Sequence, residues 1–408
     1  MHWKDKMRIP SALYTNRWIR MAVMAALVAA AALSLYQGLA NALRYSQDFQ
    51  WDAAKALCKG LDPYELSMHP DKALEDPDLA GFYAMFTDRG LKQKMEANQF
   101  PSLLLLLFPM TLLGPQAAKV VWCILNLVFT AGSALLLKRT FFREVPKTVY
   151  AAAILLTIAG TPYRNQLGVG QHTLFAFFFF MAALWLDMKE DMKARVRVSL
   201  TALCLFVSFF KYTLTGPLAL YFVYRKRYRE LAAAALGHIV LTALAALYLD
   251  KSFVYMIKGP LEVASRLVAE GGIDLGVVIP SPYVYGAALA ILITVLVIIL
   301  RMGEGCGPYV FAMLVLWSLV IFYHRTYDFF VLSAVPAMFY AKGMKKAGYR
   351  EGPFKVWYCI LIALTYFGLR IFDENTASKI ITAVVYYTFT TAVTYIAAKY
   401  GKEGRLQA

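Results

Sequence analysis

Residues 21–40 read MAVMAALVAAAALSLYQGLA, and residues 44–65 follow almost at once as RYSQDFQWDAAKALCKGLDPYE. The first stretch has about the twenty apolar residues that a helix needs to cross a bilayer. The second crowds acids, bases, tyrosines and a tryptophan into the positions directly after it. A cleaved leader is shorter and ends at a small-x-small site before a soluble domain, whereas this run begins near Trp18 and more apolar runs follow, so it reads as a retained helix. At 408 residues, 60% hydrophobic, 17% charged and a mean hydropathy of +0.52, the chain is too apolar to close one soluble core under a polar surface. It reads as an all-α polytopic membrane protein.

Apolar runs recur at 101–113, 117–138, 148–162, 172–188, 196–210, 213–224, 230–249, 284–300, 308–323, 327–341, 354–371 and 376–398. Several are short and broken by Pro, Gly or charge, which is tolerated at membrane depth only beside protein or a water-filled cavity. If 101–113 dips in without crossing, the remaining runs and the first span make about twelve crossings. The formal charge of +16 then falls almost wholly on one side, the side expected to be cytoplasmic together with both termini. Were 101–113 to cross, KRTFFREVPK (138–147) would lie outside, against that rule. The basic excess is thus an orientation signal for the cell membrane and its lipids, and nucleic acid is not an expected partner.

Five scattered cysteines form no CxxC or disulfide framework, and the five histidines form no HExxH arrangement. No glycine-rich phosphate loop is present. No resident cofactor is expected, and the acids form no evident ligand cluster, so no metal is expected either.

The unusual polar residues collect on the other side. They lie in a first outer loop (44–100), TPYRNQLGVGQHT (161–173), FFKYTLTGP (209–217), a second outer loop (250–283), YHRTYDF (323–329) and RIFDEN (370–375). In the first loop, SQDFQWDAAKALCKG predicts a helix that starts near Ser46 or Asp48, stops at Gly60 and leads into a turn, LDPY. Asp48 and Asp52, four apart, then share one face, and Asp48 is either a helix cap or a general base. Lys211 interrupts two apolar runs that would otherwise fuse; it either snorkels to headgroups or serves a site, and Arg164 poses the same choice. His324, Arg325 and Asp328 lie within five residues. Arg325 either pairs with Asp328 on one helix or receives a phosphate, and His324 can add a hydrogen bond or a proton.

Taken in order, these segments resemble glycosyltransferase family 87 of the GT-C superfamily. The resemblance spans about 20 to 340 and rests on DFQWDAAKALCKGLDPYE, FPSLLLLLFPMTLLGPQAAKVVWCILNL, the Gly170-Gln171 pair opening an apolar helix, FFKYTLTGPLALYFVYRKRYRE and YHRTYDFFVLSAVPA. Phe100-Pro101-Ser102 stands where the family often has a double proline, His172 where an apolar or amide residue is usual, and the proline after Lys211 lies later than usual. The resemblance implies a GT-C type fold in a single membrane domain, 1–408. It implies transfer of a sugar, mannose or another hexose or pentose, from a polyprenyl-phosphate donor to a glycolipid or glycan hydroxyl, with inversion. Asp48 matches the catalytic base, with Asp52 second. Lys211, His324, Arg325 and Arg164 are the expected donor-phosphate ligands, and Gln171, His172, Tyr327, Asp328 and Tyr64 the expected substrate contacts. A lipid-linked sugar flippase or transporter is the alternative, and a non-catalytic scaffold the third reading. No internal repeat supports transport, and the polar residues gather on one face instead of the midplane.

Overall fold

The computed structural model describes residues 16–86, 94–268, 272–280, 283–368 and 376–402, and the expected outer turn at 370–375 lies outside them. The described residues form helices and connecting turns, with no strand among them. The first described helix is α1 (Arg17–Tyr45), whose 29 residues rise about 44 Å. Short helices follow at the polar end, among them α2 (Trp51–Cys58), α3 (Pro63–Met68) and α4 (Pro77–Ala84). After a broken segment at 101–111 come α5 (Pro115–Thr140), α6 (Lys147–Ala159), α7 (Thr161–Val169), α8 (Thr173–Asp187) and α9 (Ala194–Ser208). Next are α10 (Tyr212–Leu218), continued by Leu220–Tyr224, then α11 (Tyr228–Tyr248), α12 (Phe253–Val268), α13 (Tyr283–Arg301) and α14 (Gly307–Ile321). A 3₁₀ helix, Thr326–Tyr340, precedes α15 (Gly352–Ala363) and α16 (Thr376–Tyr400).

Among the described residues, seven helical stretches can cross a bilayer by length and composition, or eight if α7 and α8, bent by 106° at their break, count as one. The expected crossings at 148–162, 172–188, 327–341 and 354–371 instead fall on shorter or irregular helices. Thr326–Tyr340 rises about 2 Å per residue, so its 15 residues still extend about 30 Å. The segment at 101–111 is shorter than a straight span needs. The stretch from Ala194 to Tyr224 is helical throughout but folds back on itself. Asp187 at the end of α8 pairs with Arg225 at 3.3 Å and with Arg227. At the other end of α8, Gln171 meets Lys211. From Lys211 to Arg225 the chain therefore runs parallel to α8, while α9, joined to α8 by a short turn, runs against it. The reversal occurs at Phe209–Lys211, where Lys211 leaves helical geometry (φ −113°, ψ 67°).

Every residue of α14 except Pro308 is buried, which makes it the central post of the bundle. Against lipid tails such burial yields little hydrophobic free energy, so close packing and hydrogen bonds hold the helices together. α1 shows how. It exposes Met21, Val28, Leu33 and Tyr36 to the lipid side and buries a stripe of small residues, Ala31, Ser34, Gly38 and Ala42, against α6 and α7. A Cβ on Gly38 would stand 3.0 Å from the Leu167 side chain and 3.3 Å from the Arg164 carbonyl. Gly38→Leu is therefore expected to lower stability by about 1–3 kcal/mol, read as earlier thermal unfolding in detergent. An unchanged melting temperature would show that the stripe is not a packing seam.

The two ends of the bundle differ in charge. One gathers 138–147, 187–197, 224–230, 301–307 and 340–350, cross-linked by Lys342–Glu144 at 2.9 Å and by Tyr224 donating to the Gly303 carbonyl. The other gathers α2, α3, α4, α12 and the turns around 171, 211 and 325. Of the expected second outer loop, Phe253–Val268 is an amphipathic surface helix. It buries Met256 and Val263, exposes Phe253, Val254 and Ile257, and Gly259 fits against the Tyr64 ring.

Candidate functional site

The site is assembled at the polar end. Asp48 lies in a turn between α1 and α2, not on a helix face with Asp52 as its spacing suggested. The reason is Gln50, whose left-handed backbone (φ 57°) separates Asp48 from the helix that starts at Trp51. No side chain caps α2, so Asp48 is not the helix cap either. The expected turn LDPY is a helix start, with Asp62 accepting from the backbone N–H groups of Tyr64 and Glu65 ahead of Pro63. Trp51 anchors α2 by donating to the Met110 carbonyl at 3.1 Å.

TPYRNQLGV, expected as an outer loop, is the helix α7. Proline in its first turn starts it, and Gly170 at φ 73° stops it. That left-handed turn suits glycine, and a Cβ there would also strike the Ser46 side chain. Gln171 follows in the break before α8. Its Nε2 donates to Asp48 Oδ2 at 3.2 Å, and its Oε1 accepts from Lys211 Nζ at 3.5 Å.

Lys211 sits at the fold-back between α9 and α10. Its ammonium is 3.5 Å from Asp328 Oδ2 and 5.5 Å from the centre of the Tyr327 ring. Asp328 is 1% exposed, and it also accepts from Thr173 and lies 2.8 Å from His324 Nδ1. Asp48, Gln171, Lys211, Asp328 and His324 thus form one connected chain of polar contacts. Arg325 and Asp328 do not share a helix, because Arg325 is extended (φ −96°, ψ 169°) and the 3₁₀ helix starts after it. Arg325 is exposed, and its Nε donates to the Tyr323 hydroxyl at 2.7 Å.

These groups face a cavity of about 710 Å³. Of the residues singled out from sequence, Asp48, Asp52, Gln171, Lys211, Arg325, Tyr327 and Asp328 line it. His324 does not; it is buried behind Asp328. His172 is buried between the rings of Trp122 and Phe210. Tyr64 is buried and donates to the Gln99 carbonyl at 2.7 Å. Arg164 lies outside the lining and donates to Gln37 at 3.0 Å, joining α7 to α1. Sequence reasoning passed over Glu96, Lys94, Tyr83 and Asp274, which also line the cavity. The polar run before Phe100 was the available signal for the first two. Asp274 caps a short 3₁₀ turn by accepting from Gly276 N–H, and its cue was an acid two residues from a glycine on either side.

The two outer-loop acids differ. Asp52 is 5% exposed and accepts from the Tyr83 hydroxyl at 2.7 Å. Burial, together with the Asp48 charge, outweighs that hydrogen bond and pushes its pKa up to about 6. Asp48 is half-buried and faces the open cavity. Desolvation first, then the Glu96 charge, raise its pKa above the usual carboxylate range, while the Gln171 amide, Arg325 and Lys211 pull it down. The arrangement places two partly exposed carboxylates, Asp48 and Glu96, in one cavity with the cations of Lys94, Lys211 and Arg325. Among the described residues no three His, Cys, Asp or Glu side chains come together in a way that can hold a metal ion.

No curated protein and no solved structure matches the chain. The sequence model of glycosyltransferase family 87 matches residues 101–335, more than half of the chain. The match takes in Gln171, Lys211, Arg325 and Asp328 and stops short of the Asp48 loop, so it is narrower than the resemblance read from the motifs. Apolar helices long enough to span a bilayer, a polar cavity at one end of the bundle and this match lead to one conclusion: the chain belongs to glycosyltransferase family 87 and is a membrane glycosyltransferase.

Proposed function

We propose that the protein transfers a sugar, mannose or a related hexose or pentose, from a polyprenyl-phosphate donor to a hydroxyl of a glycolipid or glycan. The observation that carries this reading is the cavity in which Asp48 faces Lys211 and Arg325. A polyprenyl-phosphate sugar keeps its chain in lipid and its phosphate at headgroup depth, which suits a cavity at the end of a helix bundle. The acceptor oxygen attacks the anomeric carbon as its proton passes to Asp48. The bond from that carbon to the phosphate oxygen breaks, and the electron pair leaves with polyprenyl phosphate. Lys211 and Arg325 meet the charge that gathers there. One displacement inverts the configuration. The basic end of the bundle supports a cytoplasmic placement for both termini and an extracytoplasmic cavity in the cell membrane. α12 forms part of the cavity wall through Leu261, Ala264 and Ser265, which supports a role for the second loop in covering the acceptor.

The test is turnover in lipid nanodiscs, with polyprenyl-phosphate-mannose and polyprenyl-phosphate-arabinose offered in turn. Formation of a new glycosidic bond supports the reading. Movement of the intact lipid across the bilayer with no new bond favours a flippase. The reading assigns no resident metal, so turnover is expected to persist in excess EDTA; loss restored by a divalent ion would refute that part.

A further inference from the structure

The break between α7 and α8 is built with unusual care for a loop. Three consecutive carbonyls each accept a side-chain donor. Ser46 Oγ donates to Val169 at 2.9 Å, Trp122 Nε1 to Gly170 at 2.7 Å, and Gln166 Nε2 to Gln171. The donors come from the end of α1, from α5 and from α7, so three elements fix the backbone that carries the Gln171 side chain. That side chain spans the gap between the two charged walls of the cavity, 3.2 Å from Asp48 and 3.5 Å from Lys211. An ionised carboxylate can only accept and an ammonium can only donate, so the two charges dictate which way the amide points. Its Oε1 also lies 3.4 Å from the His172 backbone N–H, which favours the same orientation.

We propose that Gln171 is a positioning residue that orients Asp48 and couples it to Lys211, and that it is not chiefly a substrate contact. With Oδ2 held by the amide, Oδ1 is the oxygen left for the acceptor proton. The amide also favours the ionised carboxylate in surroundings that otherwise disfavour it. Those surroundings comprise Glu96, Asp52 and Tyr327 as well as the opposing Lys211 and Arg325. This inference deepens the transferase reading and rests on it only where rates are measured.

Two readouts test it. In the rate assay, Gln171→Leu is expected to lower kcat about 10–100-fold and to move the acid limb of the pH profile up by about one unit, with the donor KM little changed. Gln171→Glu, of the same size, is expected to move the limb at least as far, because it places a second carboxylate beside Asp48; it also serves if the leucine variant fails to fold. A raised KM with an unmoved pH profile overturns the inference and makes Gln171 a substrate contact. The second readout needs no substrate. Infrared titration follows the carboxyl band that Asp48→Asn removes, and this band is expected to titrate at higher pH in both Gln171 variants. No displacement of the band overturns the inference whatever the activity. Displacement in a protein that turns over no donor upholds the inference and defeats the transferase reading.

Discussion

Asp48→Asn is expected to lower sugar transfer by about 10²–10⁴-fold while leaving the melting temperature close to that of the wild type. The side chain has the size of the original and lies in a turn beside the cavity, with no helix to cap. What is lost is the capacity to take a proton. The pH dependence follows with a definite sign. The base must be ionised, so activity falls as pH drops through the pKa of Asp48. Desolvation and Glu96 raise that pKa, so the acid limb is expected above the range of an ordinary carboxylate.

Asp52→Asn provides the contrast. Its carboxylate is buried against Tyr83, and turnover is expected to stay within tenfold of the wild type. Its effect on stability also has a definite sign. A carboxyl whose pKa rises from the ordinary 3.8 to about 6 on folding contributes stability below pH 3.8 that is lost as pH rises through 6. The asparagine variant is therefore expected to gain on the wild type above pH 6, by about 2–3 kcal/mol at most, and to show no such gain in acid. Retained turnover in Asp48→Asn together with loss in Asp52→Asn would transfer the base assignment to Asp52.

The Lys211–Asp328 pair carries the second large effect. Asp328 accepts from Lys211, His324 and Thr173 at a position with almost no solvent. Removing one partner of a buried pair leaves an uncompensated charge, and Asp328→Asn is expected to cost about 3–5 kcal/mol. Lys211→Met also removes a cation from the proposed phosphate wall, with a loss of about 10²–10³-fold in kcat. The double variant separates the two roles. Lys211→Met/Asp328→Asn is expected to recover stability relative to Asp328→Asn, because the two groups are coupled. Its turnover is expected to stay low, because no ammonium returns to the cavity. Full activity in Lys211→Met would remove the residue from the chemistry and leave it a structural ion-pair partner.

Much of this protein is local and therefore legible. Composition and run length place the chain in a membrane, and the short run at 101–113 is indeed a short broken helix. Gly60 does end a helix, and Lys211 lies at a chain reversal because a lysine between two apolar runs favours a hydrated turn. The count of full-length spans was less legible. Hydropathy registers an apolar run without registering whether it forms one straight helix, a fold-back such as 194–224, or an irregular post such as Thr326–Tyr340.

The site itself was decided by packing. Asp48 and Gln171 are 123 residues apart, and no periodicity connects them. Arg164, His324, His172 and Tyr64 were as polar and as suited to a site as the residues that line the cavity. Each is instead turned toward a neighbouring helix, a buried carboxylate, an aromatic slot or a backbone carbonyl. Sequence alone determined that this chain is a helical membrane protein with its chemistry gathered at one end, because hydropathy and charge act residue by residue. Only the tertiary structure decided which polar groups meet, because that depends on how helices distant in the chain rotate and lean against one another.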